Sequence, residues 1–201
     1  VHGDDRGLKL PPKLAPTEMV IVPIWRGNNK GEVRREVEAL YSELRDSGFR
    51  IEADMDEEHS PGWKFNEHEL RGVPVRIELG PKDIEKEQAV LVRRDTGEKE
   101  FVPRKGLPER LRTLLVQIQE NMFVQAEKFR GENTRWAETY GEFKEIIEEK
   151  RGFVRAPWDG TEETEQKIKE ETKATIRLLP FEKEEGKDLV SGRPGSVAIF
   201  A

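Results

Sequence analysis

The stretch "MVIVPIWRGNNKGEVRREVEALYSELRDSGFRIEAD", residues 19–54, reads as a strand, a helix and a second strand. The run "MVIVPIW" is apolar with β-branched residues, which is typical of a buried strand. Apolar side chains then recur at helical spacing up to a stop signal at Gly48. "FRIEAD" alternates apolar and polar residues, as a half-buried strand does. This order favours two parallel strands joined by a right-handed crossover helix.

The same alternation continues outward to about residue 115. Ser60 before Pro61 predicts a helix N-cap, with the helix running to about Arg71 and ending at Gly72. "VPVRIELG" reads as a third strand, and "AVLVRRDTGEKEFVP" as a hairpin around "DTGE". A long helix from about Leu107 has an apolar stripe made of Leu111, Leu114, Leu115, Ile118, Met122 and Phe129. We therefore predict an α/β fold with a five-stranded mixed sheet flanked by helices.

The remaining segments differ from this core in composition. Residues 1–15 are rich in Gly, Pro and charge and read as a connector. Residues 116–150 read as a helical linker in which 134–150 form a second charged helix. Residues 151–201 read as a small α+β domain, which is marginal at about fifty residues without a metal, a disulfide or a docking partner. Because Val1 is no natural initiator and "VAIFA" still reads as a strand, we expect the C-terminal portion of a longer protein.

Composition excludes several classes of function. The net charge of −6 argues against a polybasic nucleic-acid wrapper, although 35 Lys and Arg can still form a local patch. The absence of cysteine excludes disulfides, thiol catalysis and cysteine-ligated zinc. Three histidines, His2, His59 and His68, are too few for a histidine metal cluster. No apolar run approaches the roughly 20 residues of a membrane span, so a cytoplasmic setting with no membrane partner fits best.

The sequence contains no catalytic motif that would make an active site on its own. A phosphate-binding Gly-rich loop with a following Lys, HExxH and GxSxG are all missing. "GNNKG", residues 27–31, follows a strand and precedes a helix, so it is either a phosphate cradle or a plain surface turn. Asp4 and Asp5 could bind Mg²⁺, or serve as hinge and capping residues.

Residues 60–83, "SPGWKFNEHELRGVPVRIELGPKD", carry the chemistry of a base-reading surface instead. A carboxylate can accept from guanine N1–H and N2–H₂, while Arg or Lys donates to O6 and N7, and an aromatic ring stacks on an unpaired base. The stretch offers this set as Trp63 or Phe65, Glu69, Arg76, Lys82 and Asp83, which we expect to converge near strand ends. The alternative is a surface ion pair between Glu69 and Arg76 with the two aromatic residues as core anchors.

These stretches, together with "HGDDRGLKLPPKLAP" and "ATIRLLPF", resemble the C-terminal half of prolyl-tRNA synthetases of the archaeal and eukaryotic-like type. The resemblance covers nearly the whole chain in order, and residues 61–83 are its most specific part. It implies the tail of a catalytic domain at 1–15, a class II anticodon-binding domain at 16–115, and a zinc-binding-like domain at 151–201.

The resemblance also implies a function. The full-length enzyme would be a proline–tRNA ligase, a cytoplasmic homodimer that uses proline, ATP and Mg²⁺ through a catalytic domain upstream of Val1. This portion would hold no catalytic residue and would bind tRNA-Pro. The residues that would contact the two guanines of its anticodon are Phe65, Glu69, Arg76, Lys82 and Asp83.

The chain departs from the family at the zinc site. Members carry a CxxxxC pair and a CxxC pair where this chain has Asp159 and Thr164, then Asp188 and Ser191. Because two hydroxyls do not replace thiolates as zinc ligands, we predict that zinc is absent. We expect burial against the long helices to hold the small domain instead. A hard cation between Asp159 and Asp188 is the alternative.

Three rival functions stay open at this point. A free-standing RNA-binding module could use the same domain without catalysis. A doubly wound ligand-binding domain would have no RNA partner at all. Another class II synthetase of the same subgroup would share the domain and read a different anticodon.

Overall fold

The computed structural model describes residues 3–25 and 27–201. Val1 and His2, the first residues of the predicted connector, and Arg26 lie outside the described residues. The chain divides into two compact units, Val1–Val124 and Gln125–Ala201. No helix formed by the described residues has the length and hydropathy to cross a bilayer.

Among its described residues, the first unit contains a five-stranded sheet, a two-stranded sheet and four α-helices, the last of which continues past Val124. Its elements are β1 (Gly3–Asp4), β2 (Gly7–Leu8), β3 (Met19–Pro23), α1 (Lys30–Asp46), β4 (Ile51–Ala53), α2 (Pro61–Arg71), β5 (Val75–Leu79), α3 (Pro81–Glu85), β6 (Gln88–Arg93), β7 (Lys99–Pro103) and α4 (Leu107–Glu132). The strand order is β4-β3-β5-β6-β7. The first three strands are parallel, and β6 and β7 add antiparallel neighbours. The predicted mixed α/β sheet is confirmed.

The two faces of this sheet are packed differently. Alternate residues of β3 and β5, such as Met19 and Ile77, join α1 and α4 in one large apolar core. The opposite face has a much smaller apolar cluster of Val20, Val22 and Val73, with Phe65 of α2 packed against it. Because side chains alternate along a strand, the polar residues of β5 must lie on this second face.

The predicted ends of α2 are confirmed by their capping geometry. Ser60 accepts a hydrogen bond from the Trp63 backbone N–H at 3.3 Å, and Pro61 occupies the first turn. Gly72 ends the helix in the left-handed conformation with φ of +75°. The short helix α3 has no counterpart among the predicted elements. Phe129 is 65% exposed, so its predicted place in the buried stripe of α4 is wrong.

The second unit has a mixed sheet of its own. Its elements after α4 are β8 (Thr134–Trp136), α5 (Tyr140–Glu145), a π-helical turn (Ile146–Lys150), β9 (Phe153–Trp158), α6 (Glu162–Thr172), β10 (Ile176–Leu178), β11 (Glu185–Lys187) and β12 (Pro194–Phe200). The order is β10-β12-β9-β8, with β11 also paired to β12. The prediction of one helix over 134–150 is wrong at its start, because Thr134–Trp136 pairs with β9 as a parallel strand.

Candidate nucleic-acid interface

The candidate site lies where α2 covers the second face of the sheet. Val75, Ile77 and Leu79 of β5 belong to the large core, so the intervening Arg76 and Glu78 face α2. Both are buried charged residues, at 7% and 6% exposure. Buried charges require partners, and the structure supplies them from α2 and β7.

Arg76 is held by two carboxylates and an aromatic ring. Its Nη1 donates to Glu69 Oε1 at 2.9 Å, and its Nε donates to Glu78 Oε1 at 3.1 Å. The guanidinium carbon lies 4.0 Å from the centroid of the Phe65 ring, which is cation–π distance. Lys99 Nζ donates to Glu78 Oε1 at 3.3 Å. Three of the five sequence-predicted site residues, Phe65, Glu69 and Arg76, are thus brought together.

Arg94 fixes the helix that carries Glu69. Its Nε donates to the Glu69 backbone carbonyl at 3.0 Å, and its Nη2 donates to Asp4 Oδ1 at 2.6 Å. This hydrogen bond from Arg94 holds the pKa of Asp4 well below its usual range. Asp4 also accepts from the Arg6 backbone N–H at 2.9 Å. Asp4 therefore makes the backbone-capping contact that the sequence predicts as one of its two possible roles.

Two glycines let the N-terminal hairpin of β1 and β2 approach α2. Gly7 has φ of +122°, and a Cβ there would lie 2.4 Å from the Leu70 Cα. Gly72 has φ of +75°, and a Cβ there would lie 2.7 Å from the Leu8 Cβ. The close approach brings Asp4 within reach of Arg94.

Lys82 and Asp83 form a separate group in α3. Asp83 Oδ2 accepts the Gly80 backbone N–H at 3.0 Å, and its Oδ1 accepts Gln88 Nε2 at 3.2 Å. Lys82 is exposed. Arg76 precedes Gly80 by four residues, which is about 13 Å of extended strand. In the described part of the chain no hydrogen bond or ion pair joins this group to Arg76, so the five predicted residues form two groups.

Trp63 lies apart from the Arg76 cluster. It is 46% exposed and stacks on His59 with ring centroids 3.7 Å apart. Glu78 and Lys99, which contact the cluster, are missing from the sequence-based prediction. The sequence does contain a signal for Glu78. It follows Arg76 by two residues on a predicted strand, and residues two apart on a strand lie on the same face of the sheet.

The four residues predicted to stand at the family's zinc positions, Asp159, Thr164, Asp188 and Ser191, form a hydrogen-bonded cluster in the second unit. Asp159 Oδ1 accepts from Thr164 Oγ1 at 2.7 Å, and its Oδ2 accepts from Ser191 Oγ at 2.8 Å. Asp188 Oδ2 accepts from the Asp159 backbone N–H at 3.1 Å, and its Oδ1 accepts from the Ser191 backbone N–H at 2.6 Å. The Asp159 carboxylate is thus bonded to the hydroxyls of Thr164 and Ser191, and the Asp188 carboxylate to backbone N–H groups.

This cluster does not fit zinc. It offers two carboxylates and two hydroxyls, and structural zinc requires thiolate or imidazole ligands. Burial opposes the charge on Asp159, but hydrogen bonds from Thr164, Thr161 and Ser191 hold its pKa well below the usual range. Among residues 3–25 and 27–201, no group of three or more His, Cys, Asp or Glu side chains is placed to hold a metal ion.

The comparisons with known proteins match both units. Residues 18–114 match the family model "Anticodon binding domain", and residues 140–201 match "Prolyl-tRNA synthetase, C-terminal". The chain is 80% identical, over all of its 201 residues, to the proline–tRNA ligase of Rubrobacter xylanophilus, and it covers 42% of that protein. It is 53% identical over 186 residues to the proline–tRNA ligase of Natranaerobius thermophilus, with 92% of this chain and 38% of that protein covered.

A third relative agrees with these two. The proline–tRNA ligase of Salinibacter ruber is 48% identical over 203 residues, with 99% of this chain and 41% of that protein covered. The chain thus spans about two fifths of the length of the curated relatives it matches. Because matches to both family models and to these relatives together cover the whole sequence, the chain belongs to the prolyl-tRNA synthetase family and contains its anticodon-binding and C-terminal domains.

Proposed function

We propose that this chain is the tRNA-recognition portion of a proline–tRNA ligase, and that it reads guanines of the proline anticodon through the face of the sheet covered by α2. The observation that carries the proposal is the Phe65–Glu69–Arg76 cluster. It combines an aromatic ring, a carboxylate and a guanidinium within direct contact. A guanine presents acceptors at O6 and N7 and donors at N1 and N2, so one carboxylate and one guanidinium complement it.

The two groups of site residues suit two neighbouring bases. Phe65, Glu69 and Arg76 would take one guanine, while Lys82 and Asp83 at the other end of β5 would take the next. Bases of a single-stranded loop can be splayed apart and read on separate edges, which agrees with about 13 Å of strand between the groups. Glu69, at 21% side-chain exposure, is accessible enough to exchange its bond to Arg76 for a bond to a base.

The wider assignments follow from the family. The full-length enzyme would join proline to tRNA-Pro with ATP and Mg²⁺ in a catalytic domain, act in the cytoplasm and form a homodimer. We assign residues 16–115 to anticodon binding and 1–15 to the connection with the catalytic domain, with 116–150 as linker and 151–201 as the small domain. Zinc is expected to be absent from the small domain.

The test compares variants of the 201-residue chain for binding to an anticodon stem-loop of tRNA-Pro. Glu69→Gln and Arg76→Gln should each weaken binding by about 1–3 kcal/mol, the range for one good base contact. Glu100→Gln and Arg110→Gln are matched controls. They break an Arg–carboxylate pair of 2.6 Å, and Glu100 lies opposite Leu91, on the other face of the sheet.

The controls should bind like the parent chain. The proposal is wrong if the two site variants keep full affinity while folded, or if the control variants lose as much. Binding that is weakened equally for stem-loops with and without the anticodon guanines would indicate RNA binding without base reading, which is the rival RNA-binding module.

A further inference from the structure

The second carboxylate on Arg76, Glu78, has no role in the base contacts described above. It lies two residues after Arg76 on β5 and its side chain is 7% exposed, compared with 21% for Glu69. The Arg76 side chain is buried to a similar degree, at 9%, so Glu78 is distinguished by its contacts rather than by its burial. Its contacts are with Arg76 and Lys99.

The charges of this cluster balance. Arg76 and Lys99 are cationic, and Glu69 and Glu78 are anionic, so the four side chains carry no net charge. When Glu69 turns towards a guanine, Arg76 loses its bond at Nη1. It keeps the contact with Phe65 and the bond from Nε to Glu78, whose Oε1 also forms an ion pair with Nη2 at 3.1 Å. Charge-assisted hydrogen bonds are about twice as strong as neutral ones, so this remaining bond decides where the guanidinium lies.

We propose that Glu78 is the positioning residue for base reading, and that it holds the Arg76 guanidinium in the orientation that meets guanine while Glu69 exchanges partners. This inference rests on the proposed function of the site. In the free protein Nη1 of Arg76 donates to Glu69, while Glu78 Oε1 lies 3.1 Å from both Nε and Nη2. After Glu69 leaves, Glu78 still fixes the plane of the group and leaves the Nη1 donors free for O6 and N7.

Orientation matters because a bidentate contact is geometrically demanding. A functional group must be held within roughly 0.5 Å and 10–20° of its productive geometry to keep its full effect. The arginine side chain is long and has high rotamer entropy when it is not held. Loss of Glu78 should therefore reduce discrimination between guanine and other bases more than it reduces general affinity for RNA.

The experiment measures discrimination, which is the ratio of Kd values for an adenine-substituted and a natural anticodon stem-loop. Glu78→Gln keeps the side-chain volume but removes the charge, and should lower this ratio by about fivefold or more, towards the value for Arg76→Gln. The double variant Glu78→Gln with Arg76→Gln should discriminate no worse than Arg76→Gln alone. Glu100→Gln, on the other face of the sheet, should leave the ratio unchanged.

An NMR signal separates positioning from a structural role. The Arg76 Nε–Hε resonance, identified by its loss in Arg76→Gln, should move and exchange faster with water in Glu78→Gln while the backbone spectrum stays folded. If Glu78→Gln unfolds the chain, Glu78→Asp replaces it, because this variant keeps the charge and withdraws the carboxylate by one methylene. It should then give a partial loss of discrimination.

Three outcomes would overturn the inference. If a folded Glu78 variant keeps the Kd ratio of the parent chain while Arg76→Gln lowers it, the inference about Glu78 is wrong and the proposed function still stands. Additive losses in the double variant would show that Glu78 acts independently of Arg76. If Arg76→Gln discriminates as well as the parent chain, both the proposed function and this inference fail.

Discussion

Glu69 and Arg76 have two interpretations from sequence, a pair that reads a base or a plain ion pair, and the structure shows which contact they make in the free protein. Glu69 and Arg76 do contact each other, at 2.9 Å, so the ion-pair alternative describes the unliganded state. The partly exposed pair is weaker than a fully buried one, because solvent screens its charges. Under the proposed function a guanine would compete for Glu69, and the ion pair and the base contact would be two states of one site.

The residue types of this site could be predicted from sequence, but their partners could not. The composition of residues 60–83 predicted side chains of the types that would read guanine, and the structure brings Phe65, Glu69 and Arg76 together. The sequence does not tell which glutamate contact of Arg76 is more shielded from solvent. That difference depends on burial in the folded protein, where the Glu78 side chain is 7% exposed and the Glu69 side chain 21%. Arg94 is 25 residues beyond Glu69, and its contact depends on the sheet register.

The carboxylate of a single residue, Asp159, should make the stability of the second unit depend on pH. The folded pKa lies below its usual value of 3.8, so the carboxylate stabilises the fold above about pH 4 and this contribution is lost as the pH falls. Asp159→Asn should lower the free energy of unfolding at pH 7 by about 1–3 kcal/mol and flatten its acid dependence. Denaturation followed by tryptophan fluorescence measures both, because Trp158, one of the four tryptophans, donates its indole N–H to Thr164 Oγ1 at 3.1 Å.

Glu170→Gln is the control for this measurement, because Glu170 lies on the same helix, α6, is exposed, and accepts a hydrogen bond from Gln166 rather than from a residue of the cluster. It should leave the pH profile nearly unchanged. An acid dependence of Asp159→Asn that follows the parent chain would contradict the role assigned to the cluster.

At the scale of elements, the predictable parts are those with strong local signals. The caps Ser60 and Gly72 defined α2 to the residue. The short α3 has the sequence PKDIE with a single Ile, too little for a periodic pattern. Strand β9 contains Pro157, which argues against a central strand, yet its pairing with β8 stops at Arg155 before the proline is reached. Strand β8 is three residues long and is defined by that pairing.

A buried lysine anchors α2 and gives a prediction for this element. Lys64 is 1% exposed. Its Nζ forms an ion pair with Asp54 Oδ1 at 3.2 Å and donates to the Asp54 backbone carbonyl at 3.0 Å. Lys64→Met removes the charge from a buried pair, so it should lower the free energy of unfolding by about 3–5 kcal/mol. Chemical denaturation, with hydrogen exchange across α2, provides the measurement.

Arg71→Met provides the comparison on the same helix. Arg71 pairs with Glu52 at 3.2 Å, but both side chains are more than 40% exposed. Surface ion pairs contribute about 0–1 kcal/mol, so this variant should be nearly neutral. An equal decrease in the free energy of unfolding for Lys64→Met and Arg71→Met would show that the buried ion pair of Lys64 stabilises α2 no more than the exposed ion pair of Arg71.

For the whole molecule, the second unit should be stable without metal. Its apolar core includes Ala137, Phe143, Val154, Ile168 and Phe200, and the Asp159 cluster occupies the family zinc positions. Metal analysis of the purified 201-residue chain should find no stoichiometric zinc, and EDTA should leave its Tm unchanged. One equivalent of bound zinc, or a Tm lowered by EDTA, would contradict this prediction.

Recognition of the anticodon guanines by this chain is tested most directly by measuring how the unmodified chain binds tRNA-Pro variants. Each anticodon guanine is replaced by adenine in turn, and the Kd is measured at fixed salt, since salt alters RNA affinity strongly. We expect each replacement to weaken binding by about 1–3 kcal/mol, because the protein groups lose the guanine donors and acceptors that they contact. Equal Kd values for the natural and substituted tRNAs would contradict it.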